Sequence, residues 1–299
     1  MSGLWAPVQA RDAQAKKCDA EDQRGNESSR KNCPPPTTTT SSTTTSTTTS
    51  TTTTTTTTVP GSIDDILPYQ YTYPDLVPDV TETYIGSEII FDEPSGTFLF
   101  GPPQLRFDTM AQNHGSVAVD IQSEDVTNEE NPPASQCVAW TATVCRERRI
   151  VGNFEIHPDH GHIHFSDFAK YELRRLLADD TPDMSAAGLV GVSDKVSFCL
   201  IDVEKIRDDA PPVGTYTTCN AYREGISPGW SDVYGADLEG QAFPLDGISD
   251  GRYAIVVDMN YDGGLFESDY SNNRVTAIVR MADLGTEQAS VVLESRTWS

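Results

Sequence analysis

The stretch Tyr253-Ala-Ile-Val-Val-Asp258 decides the class of fold, because Ile and Val dominate a run too short for a helix. Asn260 and Asp262-Gly-Gly264 follow it and read as a turn. The same alternation of short β-type runs and turn residues covers Ile89-Ile-Phe91, Gln104–Phe107, Val117–Ile121, Val138–Val144, Val196–Ile201 and Val275–Val279. Pro, Gly, Asn and Asp cluster between the runs, at spacings expected of an all-β protein, a sandwich or barrel-like domain with few short helices. One segment reads differently. Between Phe165 and Ala178 the apolar residues fall at 165, 168, 169, 173, 176 and 177, near a 3.6 period, so a short helix or a turn is expected there.

Outside these runs the 299-residue chain divides by composition. Residues 1–36 are polar and charged around Cys18 and Cys33, and read as the tail of an upstream module or a disordered arm. Residues 37–58 are all Ser or Thr, preceded by Pro34-Pro-Pro36, and read as a linker of the kind found in extracellular stalks. Residues 59–299 are then the folded domain.

Lys and Arg total 21 against 45 Asp and Glu, a net charge of −24. Residues 1–36 carry slightly more basic than acidic groups, so the acidic excess falls on the rest. Nucleic acid is excluded as the default partner, because phosphate contacts need clustered Lys and Arg. Such a surface attracts cations, amines and basic proteins; adaptation to a salty medium is the competing reading. No apolar run approaches the roughly 18 residues of a membrane span. No apolar signal-peptide core follows Met1. Six cysteines and the stalk-like tract nevertheless point to an extracellular or cell-surface protein.

Four of the five histidines, His157, His160, His162 and His164, lie within eight residues. His160, His162 and His164 alternate, and alternate residues of a strand share a face. In a straight strand the first and third would stand roughly 13 Å apart, at about 3.3 Å per residue. A bend at Gly161 is therefore expected, bringing them to one ion. Imidazoles suit Cu, Zn, Ni or Fe and disfavour Ca or Mg.

His157-Pro-Asp-His160-Gly-His162-Ile-His164 resembles the copper-binding segment of the lysyl oxidase family, and further blocks match in order. Pro74-Asp-Leu-Val77 and Gln104-Leu-Arg-Phe107 lie upstream. Lys195-Val-Ser-Phe-Cys199-Leu, the block Gly225-Ile-Ser-Pro-Gly229 through Tyr234-Gly-Ala-Asp237, and Glu267-Ser-Asp-Tyr-Ser-Asn-Asn273 lie downstream. The resemblance implies a copper- and quinone-dependent amine oxidase. Such an enzyme turns primary amines, either peptidyl lysine of lysine-rich proteins or small amines, into aldehydes with release of ammonia and hydrogen peroxide. By matching position its lysine tyrosylquinone (LTQ) cofactor would form from Lys195 and Tyr234, and copper would be held by His160, His162 and His164, with His157 as the family's fourth histidine. Asp237 is a candidate base. The chain departs from animal members in having Pro158-Asp159 and no Cys inside the motif, and Lys170 where they carry a further histidine.

Glu267, Asp269, Asn272 and Asn273 offer the oxygen donors that Ca²⁺ takes, although a polar hairpin turn uses the same residues. The resemblance adds Asp75 and the Leu76 carbonyl as partners. Cys137 and Cys145 bracket one apolar run, and Cys199 and Cys219 bracket an Asp- and Pro-rich loop, so local pairing is expected, leaving Cys18 with Cys33. Two other functions use the histidines: a non-catalytic metal-binding β-module on a stalk, and a zinc hydrolase with three histidines and an open position. Neither needs Lys195 or Tyr234.

Overall fold

The computed structural model describes residues 69–92, 97–123, 131–156, 163–193, 195–219 and 222–299. His157, His160, His162, Cys18, Cys33 and the Ser/Thr tract lie outside the described residues. Among the described residues the elements are all strands, so the expected short helices are corrected to none.

Among the described residues the strands form three antiparallel sheets. The third is the clearest: β14 (Gly251–Met259) is its centre, paired on one side with β15 (Arg274–Ala282) and on the other with β8 (Ala169–Arg175). Ala254, Ile255, Val256 and Val257 of β14 are wholly buried, so both faces are covered, which is why the run is continuous in sequence and does not alternate. The sheet ends in β16 (Ser290–Trp298) and β9 (Leu189–Val192). A second sheet has the order β10 (Glu204–Lys205), β12 (Trp230–Tyr234), β3 (Thr97–Asn113) and β13 (Ala242–Pro244), with β2 (Leu76–Asp92) also on β3. The remaining sheet runs β11 (Arg223–Ile226), β4 (Val119–Ser123), β5 (Pro133–Thr141), β6 (Val144–Ile156) and β7 (Ile163–Phe165), with β1 (Gln70–Tyr71) on β5.

The core is an aromatic column. Phe243 stacks on Phe107 at 5.0 Å, and Phe107 meets the edge of Tyr171 at 5.3 Å. Tyr171 meets Phe198 at 5.9 Å, and Phe198 meets Tyr234 at 4.7 Å. Edge-to-face geometry of this kind adds to the burial of each ring, itself worth about 1.5–3 kcal/mol.

Three local expectations are corrected. The segment from Phe165 to Ala178 is no helix; β7 ends in a turn at Ser166-Asp167, where Asp167 has φ 57°, and β8 follows. Pairing of β8 with β14 from Ala169↔Met259 to Arg175↔Tyr253 overrides the local period. Ala169, Tyr171 and Leu173 enter the core, while Glu172 and Arg174 pair on the other face at 2.5 Å. The run Val138–Val144 is broken at Ala142 into a hairpin, and the Cys137–Cys145 disulfide spans its two strands.

The run Val196–Ile201 belongs to no named strand. Its backbone bonds go to different partners: Phe168 N–H donates to the Val196 carbonyl, Gly225 N–H to the Leu200 carbonyl, and Phe198 exchanges bonds with Phe165. The expected Cys199–Cys219 disulfide ties this segment to the loop after it. Asp202 fastens the same region. Its Oδ2 accepts from the N–H groups of Thr215 (2.7 Å) and Tyr216 (3.0 Å) and from Ser227 Oγ (2.7 Å), while Oδ1 accepts from Ser227 N–H (2.6 Å).

Asp202→Ala strands these buried donors, and denaturant unfolding should show a loss of about 3–5 kcal/mol. A loss below about 1 kcal/mol would mean that Asp202 does not organise the loop.

Candidate active site

Tyr234 ends β12 and is buried, with its hydroxyl donating to the Cys199 carbonyl at 2.9 Å. Burial drives its pKa well above the ordinary phenol value, and the charges of Asp232 and Glu224 push in the same direction. The phenol therefore stays protonated. Asp232 shares the inward face of β12 with Tyr234, two residues away, and Glu224 enters from β11. Both are fully buried. Leu200 N–H donates to Glu224 Oε2 at 3.1 Å, and Val233 N–H to Asp232 Oδ1 at 2.9 Å.

Lys195 is half-buried in the irregular segment, and its Nζ lies 4.9 Å from the centroid of the Tyr234 ring and 5.1 Å from that of Phe198. A cation over these π faces is electrostatically favoured. In a regular strand Lys195 and Phe198, three residues apart, would point to opposite faces. The broken backbone lets both address Tyr234.

A buried polar chain runs behind the ring. Gln241 Nε2 donates to the Tyr234 carbonyl (3.1 Å) and to Thr109 Oγ1 (2.7 Å), and Thr109 Oγ1 shares a hydrogen bond with the Tyr171 hydroxyl (2.9 Å). Tyr171 is fully buried and its pKa is also raised, chiefly by burial. Arg106 holds the turn after Tyr234, with Nε on the Ala236 carbonyl (2.5 Å) and Nη2 on the Leu238 carbonyl (2.9 Å).

His164 is buried on β7, between Ile163 and Phe165, and Phe165 bridges Phe198 of the site. Its donor chemistry suits a soft or borderline metal. Among the described residues no three His, Cys, Asp or Glu side chains converge on one point, His160 and His162 lying outside them.

A second cluster joins the start of β2 to the segment before β15. Leu76 N–H donates to Glu267 Oε2 at 2.7 Å, Asn273 Nδ2 to Glu267 Oε1 at 2.8 Å, and Asn272 Nδ2 to Asp75 Oδ1 at 2.9 Å. The Oδ1 atoms of Asn272 and Asn273 are buried without a hydrogen-bond partner, as fits an oxygen-ligated cation. Burial pushes the Glu267 carboxyl up to about 7. Asp269 lies at the surface, its Oδ1 accepting from Ser271 N–H and Oγ.

The family model described as lysyl oxidase matches residues 135–290, more than half of the chain, and this span contains the histidine motif, Lys195 and Tyr234. The chain belongs to the lysyl oxidase family. Protein-lysine 6-oxidase of Gallus gallus is 34% identical over 131 residues, which is 43% of this chain and 28% of that protein. The protein of the same name from Homo sapiens is 32% identical with the same coverage, and human lysyl oxidase homolog 1 is 32% identical over 123 residues, 41% of this chain and 19% of that one. The alignment with the first of these relatives thus spans less than a third of its length.

Sequence reasoning passed over Asp232, Glu224, Thr109, Tyr171 and Gln241 in this lysyl oxidase domain. Asp232 had a readable signal, a carboxylate on the same strand face as Tyr234. Gln241 and Thr109 had none, because only the β3 and β12 pairing and the turn before β13 bring them together. Asp237 is exposed, and its charge acts on Asp108 and Tyr84 at the outer side of the turn.

Asp108 accepts from Ala236 N–H at 2.5 Å; burial, with Glu82 and Asp237 nearby, raises its pKa from 3.8 to about 6. The native carboxyl holds its proton more tightly than the unfolded chain does, so this group favours folding at low pH. That contribution is lost as pH rises from 3.8 to about 6. Thermal unfolding of Asp108→Asn should lack this decline, and an unchanged pH profile would reject the assignment.

Proposed function

We propose that this protein is a copper-dependent amine oxidase whose cofactor is an LTQ made from Lys195 and Tyr234. One observation carries the reading: Lys195 Nζ lies 4.9 Å from the Tyr234 ring centroid, so the amine needs little movement to reach a ring carbon. A solvated lysine or an ordinary core tyrosine would not require this approach.

His160, His162 and His164 would hold copper for activating dioxygen at the phenol, and the quinone would supply an electrophilic carbonyl and an electron sink for oxidising primary amines. The chain's own residues do the rest. The Cys199 carbonyl and the aromatic column fix the ring, with Phe198 packed against it. Lys195 must lose its proton before it attacks, and the buried carboxylates Asp232 and Glu224 are groups able to receive it; either also suits the proton removed from the substrate carbon. Forming the cross-link consumes two dioxygen molecules. One oxygen atom enters the ring while its partner leaves as water, Nζ bonds to a ring carbon, and the second dioxygen leaves as hydrogen peroxide after taking two electrons. Each turnover then converts amine, dioxygen and water to aldehyde, ammonia and hydrogen peroxide.

The net charge of −24 favours cationic substrates, peptidyl lysine or small amines, and the disulfides suit a secreted protein. Among the described residues no helix is long and apolar enough to cross a membrane. Calcium held by Asp75, the Leu76 carbonyl, Glu267, Asp269, Asn272 and Asn273 would pin the start of the domain to its late segment, acting on stability and leaving the chemistry alone.

Peptide mapping of copper-loaded protein should find the Lys195 and Tyr234 peptides joined, with one oxygen gained and four hydrogens lost. Lys195→Ala should lower amine-dependent peroxide release by at least about a hundredfold. Unmodified peptides after full copper loading in air, with no peroxide from any amine, would overturn the reading. For calcium, EGTA should lower the melting temperature of wild type by several degrees and leave Glu267→Gln unaffected, with copper content equal in both. A wild-type melting temperature indifferent to calcium would remove the site.

A further inference from the structure

The segment carrying Lys195 belongs to no named strand, so something other than a sheet ladder must set its register over Tyr234. Two residues of the turn before β13 touch both halves of the pair. Gly240 faces the lysine. Ser193 Oγ donates a short hydrogen bond to the Gly240 carbonyl and accepts one from Lys195 N–H at 3.1 Å, so a single hydroxyl links the lysine backbone to the turn. Gly240 has φ +73°, and a Cβ there would stand 2.7 Å from Lys195 Cβ and 3.5 Å from its Cα and Cγ. The root of the lysine side chain thus lies against a bare Cα. A side chain at 240 cannot be accommodated by swinging a flexible tip away, because the atom it meets is next to the backbone.

Gln241 faces the tyrosine. It is fully buried and donates to the Tyr234 carbonyl, as described above. Its backbone is held too: Phe107 N–H donates to its carbonyl, and its own N–H to the Leu238 carbonyl, both at 3.3 Å. The peptide unit between residues 240 and 241 therefore measures the distance from Lys195 to Tyr234.

We infer that Ser193, Gly240 and Gln241 form a clamp that sets Lys195 over the Tyr234 ring and so governs how fast the cross-link forms. These are positioning residues, and the inference rests on the cofactor reading proposed above. The clamp acts on the addition of Nζ to the ring, after dioxygen has oxidised the phenol. Its loss should leave the earlier oxidation in place. The oxidised ring would then persist without its lysine.

The test uses the full chain, loaded with copper and exposed to air, with cross-linking followed by peptide mapping over time. Wild type must first cross-link; if it does not, the cofactor reading fails and the clamp fails with it. If it does, Gly240→Ala and Ser193→Ala should each slow cross-linking by about tenfold or more at unchanged copper content, with the Tyr234 peptide accumulating as an oxidised but unlinked species. Ser193→Thr, which keeps the hydroxyl, should return the rate to within about threefold of wild type. If Gly240→Ala does not fold, the Ser193 pair decides. Wild-type rates in Ser193→Ala overturn the inference. So does loss of Tyr234 oxidation in step with loss of the cross-link, because general damage to the site would produce that result.

Discussion

A phenol taken out of water needs an acceptor for its hydroxyl, and the Tyr234 hydroxyl donates to the backbone carbonyl of Cys199. That bond places the segment around Cys199 at a definite depth. Phe198, the preceding residue, is thereby laid against the ring at 4.7 Å, and Lys195 comes over it from the same stretch. The Cys199–Cys219 disulfide and the Asp202 carboxylate then hold the loop that would otherwise let this segment drift. The geometry of the pair depends on burial of one ring and the satisfaction of one hydroxyl.

Irregular backbone is costly inside a protein unless each N–H and C=O finds a partner. The segment from Val196 to Ile201 meets that demand piecemeal, through Phe165, Phe168 and Gly225, in place of one neighbouring strand. What this arrangement gains is direction. A strand would send Lys195 and Phe198 to opposite faces, whereas the broken segment lets a cation and an aromatic edge meet the same ring. Two sheets supply the buried groups around the ring: β12 carries Tyr234 with Asp232, and β11 carries Glu224.

Charge acts at two depths. Asp232 and Glu224 lie in the interior, where their charge adds to burial in raising the phenol's pKa. Glu82, Asp108 and Asp237 lie outside the turn that follows Tyr234, and their mutual repulsion adds to burial in raising Asp108. The overall acidity of the chain extends the outer field to longer range, where salt screens it over about 8 Å at physiological ionic strength.

The all-β class was legible in the runs at Tyr253–Asp258 and Val275–Val279, because both faces of those strands are buried and composition alone marks them. Local disulfide pairing was legible from the short spacing of the cysteines across a turn or loop. Lys195, Tyr234 and the histidine motif stood out because the family blocks fall in order along the chain. Tertiary structure decided the rest. The stretch from Phe165 to Ala178 has a helical period, yet after the turn at Ser166-Asp167 it runs as strand β8, since seven registered pairs with β14 outweigh a local preference. Val196–Ile201 has strand composition and is irregular, since its partners come from several elements. Gln241, Thr109 and Gly240 carry no signal in one dimension, because the contacts of Gln241 with Thr109 and of Gly240 with Lys195 join residues tens of positions apart, and only folding sets those distances.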